Sequence, residues 1–128
     1  MSKNETWMIL KYWNEVGGTL IEEYPIVRGS RNRGRRNVDG LIILGTKKQK
    51  LPSTSFVPIE GKKVIVLQAK NRGLGMPLMG QTLFSKMLVK KLKPKSVRSI
   101  ALCIKDDEVL RPMLEKFTGC EVIIYVKK

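Results

Sequence analysis

A chain of 128 residues, 42% of them hydrophobic, has the size of one ordinary domain and enough apolar side chains for one packed core. Its 25 Lys and Arg against 11 Asp and Glu, with no His, leave a net charge of +14, which excludes the balanced surface of a typical small-molecule enzyme and points to a polyanionic partner. The longest apolar runs, LIIL and VIVL, are too short to span a bilayer, and the N-terminus lacks a secretory pattern, so a cytoplasmic protein without a membrane segment is expected.

The first predicted element is a helix over residues 4–16, with Trp7, Leu10, Trp13 and Val16 near helical spacing and Gly17-Gly18 as its stop. Two β-branched and aliphatic runs follow as strands, TLIEEYPIV (19–27) and NVDGLIIL (37–44), and GKKVIVLQAK adds a third that ends near residue 70. The connections between them, RGSRNRGRR and GTKKQKLPSTSFVPIEGKK, are basic and rich in breakers, and both are expected to be mobile. After the turn NRGLGMP, the run LMGQTLFSKMLVKKL places Leu78, Met79, Leu83, Met87 and Leu88 at helical spacing until Pro94 ends it. The remainder reads as a strand (SVRSIALCI), a short helix capped by Asp106 or Asp107 (DDEVLRPMLEKF) and a last strand (CEVIIYV). The expected fold is α/β with the order αβββαβαβ. Cys103 and Cys120 lie 17 residues apart in strand contexts with no partner pattern for a metal, and are expected as core thiols.

Polar residues interrupt two of these strands. Alternation places Val64, Val66, Gln68 and Lys70 on one face of the third strand and Ile65, Leu67 and Ala69 on the other. The same counting groups Asp39 with Leu41 and Ile43. A carboxylate, an amide oxygen and an ammonium converging at one sheet edge can bind a divalent cation beside a fixed positive charge, a combination suited to phosphodiester hydrolysis. Asp39 and Gln68 would be the ligands, Mg²⁺ or Mn²⁺ the hard cation they suit, and Lys70 the group that orients water or stabilises charge on phosphorus. The alternative at each position is structural: Asp39 before Gly40 as a turn residue, Gln68 as a sheet amide, Lys70 as a solvated strand end.

The succession of helix, strand, VDGLII, hairpin, VIVLQAK and helix resembles the PD-(D/E)xK nuclease core, Asp39 matching the motif Asp and Gln68-Ala69-Lys70 the (D/E)xK. That resemblance implies a restriction-endonuclease-like fold, a mixed central β-sheet flanked by helices. Gln68 stands where most of the superfamily carries Asp or Glu, as in the QxK form of Mrr-type endonucleases, and costs the site one negative charge. The front half is similar to archaeal Holliday junction resolvases, which implies a role for Glu5 in the first helix and for Ser30 after the first strand, and implies a homodimer. Glu5 also suits a first helical turn for its dipole alone. Glu22 and Glu23 are further candidates for the missing acid, and periodicity does not choose between them. Gln81 matches part of the QxxxY motif of RecB-type nucleases, with Ser85 in place of Tyr, and reads as a helix-surface amide.

Arg28, Arg31, Arg33, Arg35 and Arg36 fall within nine residues that contain no acid and lead into the Asp39 strand, where forked donors suit phosphate oxygens. DNA is the expected partner, and the resemblance implies a Mg²⁺-dependent endodeoxyribonuclease selective for branched DNA. The alternatives are a Mrr-like restriction or repair nuclease acting on duplex DNA, and a non-catalytic DNA-binding module that kept the scaffold. Trp7 and Trp13, on the first helix, are expected as core or dimer contacts rather than base-stacking platforms.

Overall fold

A computed structural model describes residues 3–126. Helix α1 (Lys3–Val16) leads through β1 (Thr19–Val27), β2 (Arg36–Ile43), β3 (Gln49–Lys50) and β4 (Lys63–Ala69) to α2 (Met76–Lys90), then β5 (Ser96–Cys103), α3 (Leu110–Glu115) and β6 (Cys120–Ile124). The six strands form one mixed sheet in the order β3-β1-β2-β4-β5-β6. The expected order is corrected at one point: the long connection before β4 contains a two-residue strand that pairs parallel to β1 through Thr19 and Leu20. Two residues carry too little pattern to be read as a strand. That connection is also tied down along its length. Leu51 N donates to Leu20 O at 3.0 Å, Thr54 N to Glu22 O at 2.9 Å and Tyr24 Oη to Val57 O at 2.6 Å, and Ile59 is buried.

Helices cover both faces of the sheet. On one, Met8, Ile9 and Tyr12 of α1 pack on Leu20, Ile42, Ile65, Leu67, Ala69, Ile100 and Leu102. On the other, Val89 of α2 joins Ile21, Tyr24, Leu41, Ile43, Val64 and Val66, while Leu78 and α3's Leu114 join Ala101, Cys103, Cys120 and Val122. Strands β4 and β5 are therefore apolar on both sides, which explains their continuous aliphatic runs. Each such side chain contributes about 1.5–3 kcal/mol on burial. Cys103 and Cys120 are buried and free, and burial pushes both thiols up from their ordinary range.

The helix stripes differ from those expected. In α1, Trp7, Leu10 and Trp13 flank the buried Met8, Ile9 and Tyr12, and Val16 is exposed. In α2 the buried positions are Leu78, Thr82, Ser85 and Val89, while Met87 is exposed and Met79, Leu83 and Leu88 are half-buried. Both buried hydroxyls have partners: Thr82 Oγ1 donates to Leu78 O one turn back in its own helix, and Ser85 Oγ accepts from Gln68 of β4, while Ser99 Oγ of β5 donates to the Thr82 carbonyl at 2.7 Å. Gly17 and Gly18 both adopt left-handed backbone (φ 75° and 82°), and a Cβ on Gly18 would lie 2.5 Å from Ile43 O, so the stop after α1 needs glycine. Asp107 accepts from the backbone of Val109 and Leu110 at the start of α3.

The β1–β2 hairpin turns over in its middle. Ile21 and Tyr24 pack in the same cluster, as do Leu41 and Val38, although each pair is three residues apart and strict alternation would separate them. Glu23 sits at the break with φ 52°, and the register pairs Glu22 with Gly40 and Tyr24 with Val38, so Glu23 stands opposite Asp39. Among the described residues no helix is long and apolar enough to cross a membrane.

Candidate functional site

The site begins where β2 leaves β4. Their antiparallel ladder ends at the pair Gly40 and Leu67, so the next backbone groups of β4 lose their strand partner. Asp39 replaces it: its Oδ2 accepts the N–H of Ala69 at 2.8 Å. This bond fixes the carboxylate at the C-terminal end of β4, between Gln68 and Lys70 in sequence. Burial, with smaller additions from the Glu23 and Glu5 carboxylates, pushes Asp39 up to about 6 despite that bond. Asp39 is thus a carboxylate held where its charge is disfavoured, with a second acid directly across the strand pair, an arrangement that costs stability without a cation.

The choice between the adjacent glutamates follows from β3. Glu22 Oε1 pairs with Lys50 Nζ at 2.6 Å and its side chain is only 12% exposed. Glu23, turned by its left-handed backbone, is the one whose charge acts on Asp39. Neither the two-residue strand nor the positive φ has a signature in the residue pattern.

Gln68 is buried, and its Nε2 donates to Ser85 Oγ of α2 at 2.8 Å. The bond orients the amide so that its oxygen is directed away from Ser85. It also accounts for the small polar residue on the core face of α2, which the spacing of Gln68 and Ser85 does not announce. Gln81 is exposed on α2, as the helix-surface reading expects.

Lys70 lies just past the strand, its N–H bonded to Leu102 O at 3.0 Å. It lines a cleft of about 610 Å³ together with Asn4 and Glu5 of α1, Asn71, Arg72 and Gly73, and the start of α2. The turn that forms this wall is pinned to the end of β5 by Ile104 N to Arg72 O (3.0 Å) and Leu74 N to Lys105 O (2.9 Å). Lys70, Arg72 and the free N–H groups of α2 bring three sources of positive potential to one opening, which suits a phosphate. Asn71 Oδ1 is buried there with no hydrogen-bond partner among the described residues. Asn4, Asn71 and Arg72 escaped the sequence reading because nothing in their spacing marks a cleft that only the packing of α1 beside α2 creates.

The arginine segment is a tight hairpin tip in which Ser30 and Arg33 exchange backbone bonds of 2.8 and 3.2 Å. Arg28 and Arg33 line a second groove, beside Phe56, Leu88 and Lys91, rather than the cleft at Lys70. Arg31, Arg35, Arg36 and Ser30 are exposed. The structure thus brings Asp39, Gln68, Lys70 and Glu5 to one end of the sheet and gives part of the arginine segment a surface of its own.

Among the described residues, no group of three His, Cys, Asp or Glu side chains is arranged to hold a metal ion. No family model matches the chain, and no curated protein or solved structure is significantly similar to it. What can be stated of its class is an α/β fold, a six-stranded mixed sheet with helices on both faces.

Proposed function

We propose that the chain is a metal-dependent endodeoxyribonuclease of the PD-(D/E)xK type in its QxK form, with a restriction-endonuclease-like core built from α1, β1, β2, β4, α2 and β5. The observation that carries the reading is the Asp39 carboxylate, held on the Ala69 N–H at the end of β4 with Glu23 opposite it and Lys70 one residue beyond. Such a group has a raised pKa and an opposing acid, both of which a bound cation would relieve.

The donors are of the kind a hard cation takes: a carboxylate from Asp39 and the amide oxygen of Gln68 at the end of β4, with the unpartnered Asn71 Oδ1 in the cleft that Lys70 lines. Mg²⁺ or Mn²⁺, when bound, supplies positive charge to the phosphoryl oxygens and to the attacking water. The chain's own groups do the rest. Lys70 and Arg72 hold the scissile phosphate and offset charge that develops on it. Ser85 keeps the Gln68 amide oriented, and Glu5 faces the same cleft as Lys70, where it can position water. The substrate on this reading is branched DNA, cut by a homodimer that presents two such sites, and the arginine hairpin adds phosphate contacts.

A second reading is a DNA-binding module on the same scaffold, favoured by the amide at position 68 and by the lack of a three-acid cluster among the described residues. Cleavage of labelled four-way junction, flap, single-stranded and duplex DNA with Mg²⁺ or Mn²⁺ separates the two. Junction cutting that disappears in Asp39→Ala is the expected result. Duplex cutting would favour the Mrr-like form, and salt-sensitive binding without any cutting would favour the module.

A further inference from the structure

The second groove has a composition unlike the first. Its floor is apolar, from Leu88 and Leu92 of the α2 end and from Phe56, and its rim is cationic, from Arg28, Arg33 and Lys91. It has a volume of about 510 Å³. Phe56, Lys91 and Leu92 also line an adjoining hollow, so the groove continues past the ring. Phe56 is 45% exposed in spite of its size. It stacks on the buried Tyr24, ring centroids 5.9 Å apart at 18°, and the Arg28 guanidinium lies 4.5 Å from its centroid. A buried ring, a half-exposed ring and an exposed cation thus lie in contact along the groove.

The rim calls for a polyanion, but a duplex keeps its bases paired inside and would leave the apolar floor bare. A single strand has both phosphates for the rim and unpaired π-faces for the stack. We infer that this groove binds single-stranded DNA, one unpaired base adding to the Tyr24–Phe56–Arg28 stack while Arg33 and Lys91 hold the flanking phosphates. The inference rests on the reading of DNA as the partner, and it supplies the chain with a contact for the unpaired strand near a fork or flap. Glu60 lines the adjoining hollow together with Lys91 and Lys93.

Binding of a labelled oligothymidine and of a duplex of equal length, measured by anisotropy in EDTA with the full chain, tests this without any cleavage. Phe56→Ala is expected to weaken oligothymidine binding about 5- to 150-fold, the range for loss of one stacked base, with less than about a twofold change for the duplex. Phe56→Leu keeps the apolar floor and guards against misfolding, and Arg28→Lys keeps the charge while removing the plane. Both should show the same selective loss. Equal losses on the two DNAs, or no loss on the single strand, would overturn the groove assignment. Because no cutting is scored, an inactive protein that still shows the selective loss would sink the nuclease reading alone.

Discussion

The cleft at the end of β4 and the arginine hairpin both carry functional polar residues, and they are built on opposite principles. At the end of β4 two side chains are held by specific bonds, Asp39 on Ala69 N and Gln68 on Ser85, and Lys70 springs from a backbone tied to Leu102. In the hairpin Arg31, Arg35 and Arg36 are exposed, and among the described residues Arg36 bonds to the carbonyl of its neighbour. Held groups are suited to chemistry, where a displacement of about an ångström is costly. Loose cations are suited to a phosphate backbone, which is read as charge density and not as a fixed constellation. Substitutions in the first region should therefore act singly and steeply, and in the second additively and gently.

A steep effect is expected at Lys70. Lys70→Ala should lower the cleavage rate by about 10²–10³-fold, the usual loss when one preorganised positive group leaves a developing oxyanion. Its half-exposed side chain makes stability change by less than about 0.5 kcal/mol. Single-turnover rates with saturating enzyme, compared with a thermal melt, check both halves. A loss that can be recovered simply by lowering the salt would place Lys70 among the loose cations and erase the contrast.

Asp39 separates function from stability in the opposite sense. Its pKa rises from 3.8 to about 6 on folding, so the native state holds the proton more tightly than the unfolded chain. The sign follows: stability falls as pH rises from about 4 to about 6, and above that the full cost, up to about 3 kcal/mol, is present. Asp39→Asn has no charge to lose. It should be inactive yet more stable than the native chain at pH 7–8, with the advantage vanishing below pH 4. Mg²⁺ or Mn²⁺ should raise the melting temperature of the native chain and leave that of the variant unchanged. A variant less stable than the native chain at pH 8 would mean that Asp39 serves the fold and not a cation.

The same contrast decides what could be read in the residues alone. Every long element was visible, because β4 and β5 are apolar on both faces and the helices end at Gly17-Gly18 and before Pro94. Asp39, Gln68 and Lys70 stood out because each breaks an apolar pattern at a strand end. Their partners did not. Ser85 looked like an ordinary helix serine, and which of Glu22 and Glu23 faces Asp39 depends on Lys50 in a two-residue strand and on one positive φ. Alternation failed at that turn, so Asp39 could be singled out but its direction could not. Phe56 was hidden for a similar reason: it sits in a connection without periodicity, and only the fold sets it against Tyr24 and α2.

The gentlest effects belong to the hairpin tip, and they sharpen the comparison most. Arg31→Ala and Arg35→Ala should each weaken binding to junction, duplex and single-stranded DNA by similar small factors, and each should reduce the slope of log affinity against log salt by about one. With roughly six to ten phosphates contacted, the native chain should lose about 10³–10⁵-fold in affinity between 50 and 200 mM salt. Lysine at either position should restore most of the loss, since a point charge is sufficient where nothing fixes the guanidinium plane. At Arg28, seated over Phe56, lysine should not suffice for a single strand. A salt titration of the five variants therefore divides one run of arginines into cations that act by number and one that acts by geometry. Identical behaviour of Arg28→Lys and Arg31→Lys on single-stranded DNA would remove that division and leave the hairpin as a uniform charge.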